Sequence, residues 1–184
     1  MAEPVMASAQ LTQLRGYPYT ASLSQPAADT ILERSKMRIA VGADHAGYDL
    51  KAPIVELLTA LGHEVVDVGA HSVDPNDDYP DFAIALARAV AAGEAERGVM
   101  VCGSGVGASV AANKVRGVRA AVCHDTYSAH QGVEHDDMNV LCLGARIVGE
   151  EVVKELVPAF VSATFTGEER HRRRLDKVLA VEAD

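Results

Sequence analysis

From residue 37 onward, short apolar runs alternate with stretches of helical periodicity five times over, and nothing else in the chain narrows its fold as much. Residues 37–41 read as a strand, and residues 48–61 as a helix with Leu50, Ile54, Leu57, Leu58 and Leu61 at helical spacing. Further strands are expected at 64–68, 98–102, 118–123 and 140–143. Between and after them, helices are expected at 81–92, 106–115, 126–133, 150–163 and 168–181, with Pro158 placed to kink the fourth of these. Strand–helix units of this length require parallel strands, right-handed crossovers and helices on both faces of the sheet. The expected fold is a three-layer α/β/α sandwich around a doubly wound, Rossmann-like sheet of five parallel strands. Such sheets bind ligands at the carboxyl ends of their strands.

The first 36 residues are different: Pro4, Pro18 and Pro26 interrupt a polar stretch without sustained periodicity. Residues 1–36 read as a flexible extension, with a short helix near 29–34, ahead of one domain at 37–184. A translation start at Met37 and a native extension fit this pattern alike. The formal net charge of −9 opposes nucleic-acid binding, which needs a basic surface. Arg170, His171, Arg172, Arg173 and Arg174 nevertheless form a basic block, which suits a small anion or a solvated helix face. Cys102, Cys123 and Cys142 form no CxxC pair and read as reduced thiols of a cytoplasmic protein. No apolar run is long enough to cross a membrane.

Two strand ends carry the chemistry. The first continues into Gly42-Ala43-Asp44-His45-Ala46-Gly47, an acid and an imidazole whose place at the ligand edge favours function over a plain helix cap by Asp44. The third ends in Cys102-Gly103-Ser104-Gly105-Val106-Gly107 with a helix following at once. Closely spaced glycines let backbone N–H groups converge on a phosphate or on a developing oxyanion. The same field is expected to lower the pKa of the Cys102 thiol. Residues 103–108 also satisfy GxGxxA, with Asp125 near ribose-binding distance. A dinucleotide site is disfavoured, because the motif follows the third strand and no second domain remains for a hydride-transfer substrate. His135, ahead of the fifth strand, is a candidate acid/base expected at the same sheet edge, and Arg146 after that strand is a candidate phosphate ligand. His130, His135 and Asp136 lack a defined metal-ligand spacing, so no metal and no cofactor are expected.

These segments in this order resemble the ribose-5-phosphate isomerase B and galactose-6-phosphate isomerase family. Residues 42–48 with Leu50-Lys51, Asp78-Tyr79-Pro80, residues 102–107 and Ala111-Ala112-Asn113-Lys114 carry the likeness. Tyr127-Ser128-Ala129, Asn139-Val140-Leu141, Gly144-Ala145-Arg146 and the spacing of Arg170, His171 and Arg174 complete it. The resemblance implies a homodimer, or a tetramer built from such dimers, acting on a small sugar phosphate without nucleic acid or membrane. It implies that Cys102 is the base moving a proton between C1 and C2, and that His135 opens the sugar ring. Ser104 with the amides of Gly103, Gly105, Val106 and Gly107 would hold the enediolate, and Asp44, His45, Tyr79 and Asp136 would contact substrate. Arg146, Arg170 and Arg174 would hold the phosphate, the last two in a neighbouring subunit's site. Some members carry a Glu base just after the glycine loop, but that position is Ala108 here. The family usually has Asn after the ring-opening histidine, where this chain has Asp136. The expected reaction is ribose 5-phosphate to ribulose 5-phosphate, with a tetrose or hexose phosphate as the alternative substrate. A non-catalytic nucleotide- or phosphate-binding module is the alternative from another class.

Overall fold

The computed structural model describes residues 36–182; the expected extension and its short helix at 29–34 lie outside the described residues, Lys36 excepted. Eleven elements follow one another: β1 (Arg38–Ala43), α1 (Tyr48–Ala60), β2 (Glu64–Asp67), α2 (Tyr79–Ala91), β3 (Arg97–Cys102) and α3 (Val106–Ala112). After them come β4 (Ala120–Val122), α4 (Thr126–Asp136), β5 (Val140–Gly144), α5 (Glu150–Ser162) and α6 (Glu169–Val181). All five strands are parallel, in the order β2-β1-β3-β5-β4, so the sheet is the doubly wound one expected.

The period-2 alternation of each strand divides the interior into two layers. Ile39, Val41, Val99, Val101, Leu141 and Leu143 point to one face and pack under Ile54 and Leu58 of α1, Val133 of α4, and Leu156 and Phe160 of α5. Ala40, Met100, Cys102, Val140 and Cys142 point to the other, beneath Ala83, Leu86 and Ala87 of α2 and Ala108 and Ala112 of α3. Small residues on that second face let its helices sit close, so that a Cβ on Gly98 would run into Leu86. Among the described residues no helix is long and apolar enough to cross a membrane.

Where boundaries differ from expectation, side chains account for it. Helix α3 stops three residues short because Asn113 turns back: its Nδ2 donates to the carbonyls of Ser109 at 2.9 Å and Ala120 at 2.7 Å, and its Oδ1 accepts the Ala120 N–H at 2.9 Å. That pairing also fixes where β4 begins. Helix α2 starts two residues early, with Tyr79-Pro80 in its first turn, where proline's missing N–H costs nothing. Leu61, expected on the buried stripe of α1, caps the helix and is exposed. Helix α5 runs as one element through Pro158.

One glycine is required by close approach. A Cβ on Gly47 would press into the backbone carbonyl of Val101 in β3, which cannot move without breaking the sheet. Gly47→Ala is therefore expected to destabilise the fold by about 3 kcal/mol, read as a lowered midpoint in chemical denaturation.

Candidate active site

The winding of the sheet reverses between β1 and β3, and the loops leaving these two strands face one another across the crevice that opens there. Asp44 leaves β1 buried, its N–H donating to the Val101 carbonyl at 3.2 Å and its Oδ1 accepting the Gly47 N–H at 2.9 Å. Burial raises its pKa above the ordinary carboxylate value. Next to it, the His45 N–H donates to Asp77 Oδ1 at 3.1 Å, and the ring Nδ1 meets the same oxygen at 2.6 Å. That hydrogen bond raises the His45 pKa.

Cys102 closes β3 and is 4% exposed. Its sulfur accepts the Gly105 N–H at 3.1 Å. Gly105 reaches that position in the left-handed region, with φ of 80°, as the cap of α3, and a Cβ there would lie 3.2 Å from the Leu143 backbone. The exit of β5 is tied to the same turn: the Ala145 N–H donates to the Cys102 carbonyl at 2.8 Å, and the Arg146 N–H to the Gly103 carbonyl at 3.1 Å. The Arg146 guanidinium packs against Gly103, and the Tyr79 ring against Gly107, so close that a Gly107 Cβ would come within 2.7 Å of it. Ser104 is exposed, its Oγ accepting the Val106 N–H at 3.4 Å.

Asp44, His45, Tyr79, Cys102, Gly103, Ser104, Gly107 and Arg146 thus line one cleft of 350 Å³, with Gly105 and Val106 forming the turn behind it. The other two cysteines are different in kind. Burial pushes the Cys123 thiol up to about 11 and Cys142 higher still, so both stay neutral. Asp125, the candidate ribose ligand of the dinucleotide reading, instead caps α4 by accepting the Ser128 N–H at 2.7 Å. Among the described residues no three of His, Cys, Asp and Glu gather as donors for a metal ion.

His135 and Asp136 do not join this cleft within one chain, which corrects the expectation of a single sheet edge. Helix α4 continues to Asp136, three residues beyond the expected end, and stops at Asp137 in the left-handed conformation with φ of 52°. Because α4 runs antiparallel to the strands, its last turn lies at their amino ends, where Asp137 pairs at 2.6 Å with Arg119, the residue before β4. The length of a strand, about 15 Å, separates the two edges.

There the His135 ring stacks on His171 of α6 at 4.0 Å, and its Nδ1 meets Gln131 at 2.6 Å. Thr166 fixes the His171 tautomer. Its hydroxyl donates to the Glu134 carbonyl at 3.1 Å and so must accept from His171 Nδ1 at 2.8 Å, leaving Nε2 unprotonated, buried and without a hydrogen-bond partner among the described residues. Burial lowers the His171 pKa. Arg170 pairs at 2.8 Å with Glu168, the residue before α6, while Arg174 and Asp136 border a neighbouring groove. Asp77 was not singled out by the sequence, and His171 was read there only as part of a basic run and a family spacing, with no role of its own. Asp77 lies 32 residues from the histidine it holds, and His171 is hidden in a basic run.

A thiol beneath a glycine turn thus lies at the reversal point of a doubly wound sheet, where such folds bind ligands. The family model described as ribose/galactose isomerase matches residues 39–178, and the chain belongs to that family. The ribose-5-phosphate isomerase B of Escherichia coli is 46% identical over 145 residues, which span 79% of this chain and 96% of that protein. The D-erythrulose-4-phosphate isomerase of Pectobacterium atrosepticum is 44% identical over 131 residues, 71% of this chain and 86% of that one. The structure of ribose-5-phosphate isomerase B from Mycoplasma genitalium with bound ribulose 5-phosphate superposes with a TM-score of 0.76 at 41% identity, covering 80% of this chain and 97% of that one. The protein is accordingly an aldose–ketose isomerase of sugar phosphates.

Proposed function

We propose that this isomerase interconverts ribose 5-phosphate and ribulose 5-phosphate in the cytoplasm, as a homodimer whose sites are shared between subunits. The observation that carries the reading is the Cys102 sulfur at the cleft, 3.1 Å from the Gly105 amide and bordered by Arg146. In the forward direction the Cys102 thiolate takes the C2 proton of the open-chain aldose. The C2–H electrons form the C1=C2 double bond while the carbonyl pair moves onto O1, giving an enediolate. The N–H groups of the 103–107 turn other than those of Gly105 and Val106, together with the Ser104 hydroxyl, hold that charge. The thiol, which exchanges its proton with solvent during the life of the enediolate, then delivers a proton to C1, and the O2 proton passes to O1, giving the ketose with no net change in atoms or electrons.

Sharing of the site is favoured by what each edge lacks. The carboxyl edge holds Cys102 but not His135, and the amino edge holds His135, Arg170 and Arg174 but not Cys102. A two-fold pairing that faces one edge with the other would join them. Val106, Val110, Tyr127 and Ile147 expose 57, 55, 74 and 61% of their surfaces on the helices and loop around the cleft, an apolar rim suited to a second copy.

The test is turnover by the purified protein in excess chelator across tetrose, pentose and hexose phosphates. Ribose 5-phosphate is expected to give the highest kcat/KM. A higher value for a tetrose or hexose phosphate would move the substrate assignment to that sugar and point to Asp136 as its cause, and no turnover of any would refute the reading.

A further inference from the structure

Resting on the isomerase reading above, we propose that Asp77 is a positioning residue for the reaction: its carboxylate takes the Nδ1–H of His45, fixes the ring, and turns Nε2–H toward the cleft as the donor to an anionic oxygen of the substrate. Asp77 belongs to the long connection between β2 and α2. A turn presents it there, with the Asp77 N–H donating to the Asp74 carbonyl at 3.0 Å and the Asn76 N–H to Asp74 Oδ1 at 2.9 Å.

Three observations separate this role from that of a loop anchor. First, one oxygen, Oδ1, receives both the backbone N–H and the ring nitrogen of His45, so the residue's main chain and ring plane are set by a single atom. An anchor would need only the backbone bond. Second, the carboxylate is nine-tenths buried, its side chain 10% exposed, yet Oδ2 has no hydrogen-bond partner among the described residues. A buried carboxylate oxygen left unpaired costs stability, and a carboxylate selected for the fold would have both oxygens satisfied. Third, Nδ1 is consumed in this contact, which leaves Nε2 as the ring nitrogen that the cleft can use, in a side chain that remains 34% exposed.

The charges facing His45 come from three segments. Asp44 and Asp77 favour its protonated form, and Arg146, across the cleft after β5, opposes it. The hydrogen bond to Asp77 is the largest of these influences. Removing that one charge while keeping an acceptor at Oδ1 isolates its contribution, and Asp77→Asn does this.

The experiment is a nitrogen-detected NMR titration of the His45 ring in the full-length protein, for the parent and Asp77→Asn, with His45→Ala supplying the assignment. Affinity for inorganic phosphate and KM for ribose 5-phosphate are measured on the same samples. The His45 midpoint is expected to fall by about one unit in Asp77→Asn, with phosphate affinity weakened and KM raised about tenfold above the new midpoint while kcat changes less. In the His45→Ala background, Asp77→Asn is expected to have no further effect, and Asp77→Glu to recover part of the loss in the parent. An unchanged His45 midpoint, or an Asp77→Asn effect of equal size without His45, would overturn the proposal and leave Asp77 as a loop anchor. The titration and the phosphate measurement need no turnover, so they decide the Asp77–His45 pairing even if the substrate reading fails.

Discussion

Cys102→Ala is expected to lower kcat by about three to four orders of magnitude while leaving KM for the sugar phosphate within about threefold of the parent. The size of the effect follows from the reaction. A proton on carbon next to a carbonyl leaves only if a base is already in place, and no other residue lining the cleft of 350 Å³ offers a thiol. Asp44 is the one carboxylate among the residues lining the cleft, and one of its oxygens is committed to the Gly47 N–H. Binding should survive, because the amides, Ser104 and Arg146 that would hold the anionic groups stay where the backbone puts them. Cys102→Ser tests the ionisation requirement separately, since a hydroxyl of nearly the same shape does not form the anion near neutral pH. Cys123→Ala and Cys142→Ala provide the contrast. Their thiols are held neutral by burial, so these changes are expected to alter stability and leave kcat near the parent's.

The second large effect is a recovery. Cys102→Ala and His135→Asn are each expected to be inactive alone, yet an equimolar mixture, unfolded and refolded together, should regain about a quarter of the parental activity. Half of the dimers then carry one chain of each kind. In such a dimer one site lacks both groups, and the other pairs an intact Cys102 with an intact His135 from the opposite chain. The strand length of about 15 Å between the two edges is why one chain is not expected to complete a site alone. Activity in the mixture no higher than in either variant would place both groups in a single subunit's site or remove His135 from the chemistry.

Much of this architecture was legible in the sequence, for physical reasons that differ from element to element. Strands β1, β3 and β5 announced themselves because both their faces are buried, which demands runs such as Val-Met-Val-Cys and Val-Leu-Cys-Leu. The turn at 102–107 was legible because a left-handed cap at Gly105 and close packing at Gly107 admit little else. Strand order was not, since local periodicity carries no record of which strands become neighbours, and β4 lies outside β5 although it precedes it. The end of α4 was missed because Glu134, His135 and Asp136 add no apolar position to the stripe that Ala129 and Val133 begin. His135 precedes β5, so it lies at the amino edge whether α4 ends at Val133 or at Asp136, and its expected place at the carboxyl edge overlooked that order. The Asp77–His45 contact was invisible for a further reason: a turn of Asp, Pro and Asn predicts a reversal of the chain but not what the reversed chain will touch.

The most direct test of the central claim is proton NMR of ribose 5-phosphate incubated with the purified protein and excess chelator in deuterium oxide. The enediolate mechanism predicts that ribulose 5-phosphate appears with deuterium at C1, that recovered ribose 5-phosphate carries deuterium at C2, and that both signals vanish with Cys102→Ala. Conversion undiminished by Cys102→Ala, with or without deuterium on carbon, would contradict proton transfer through this thiol.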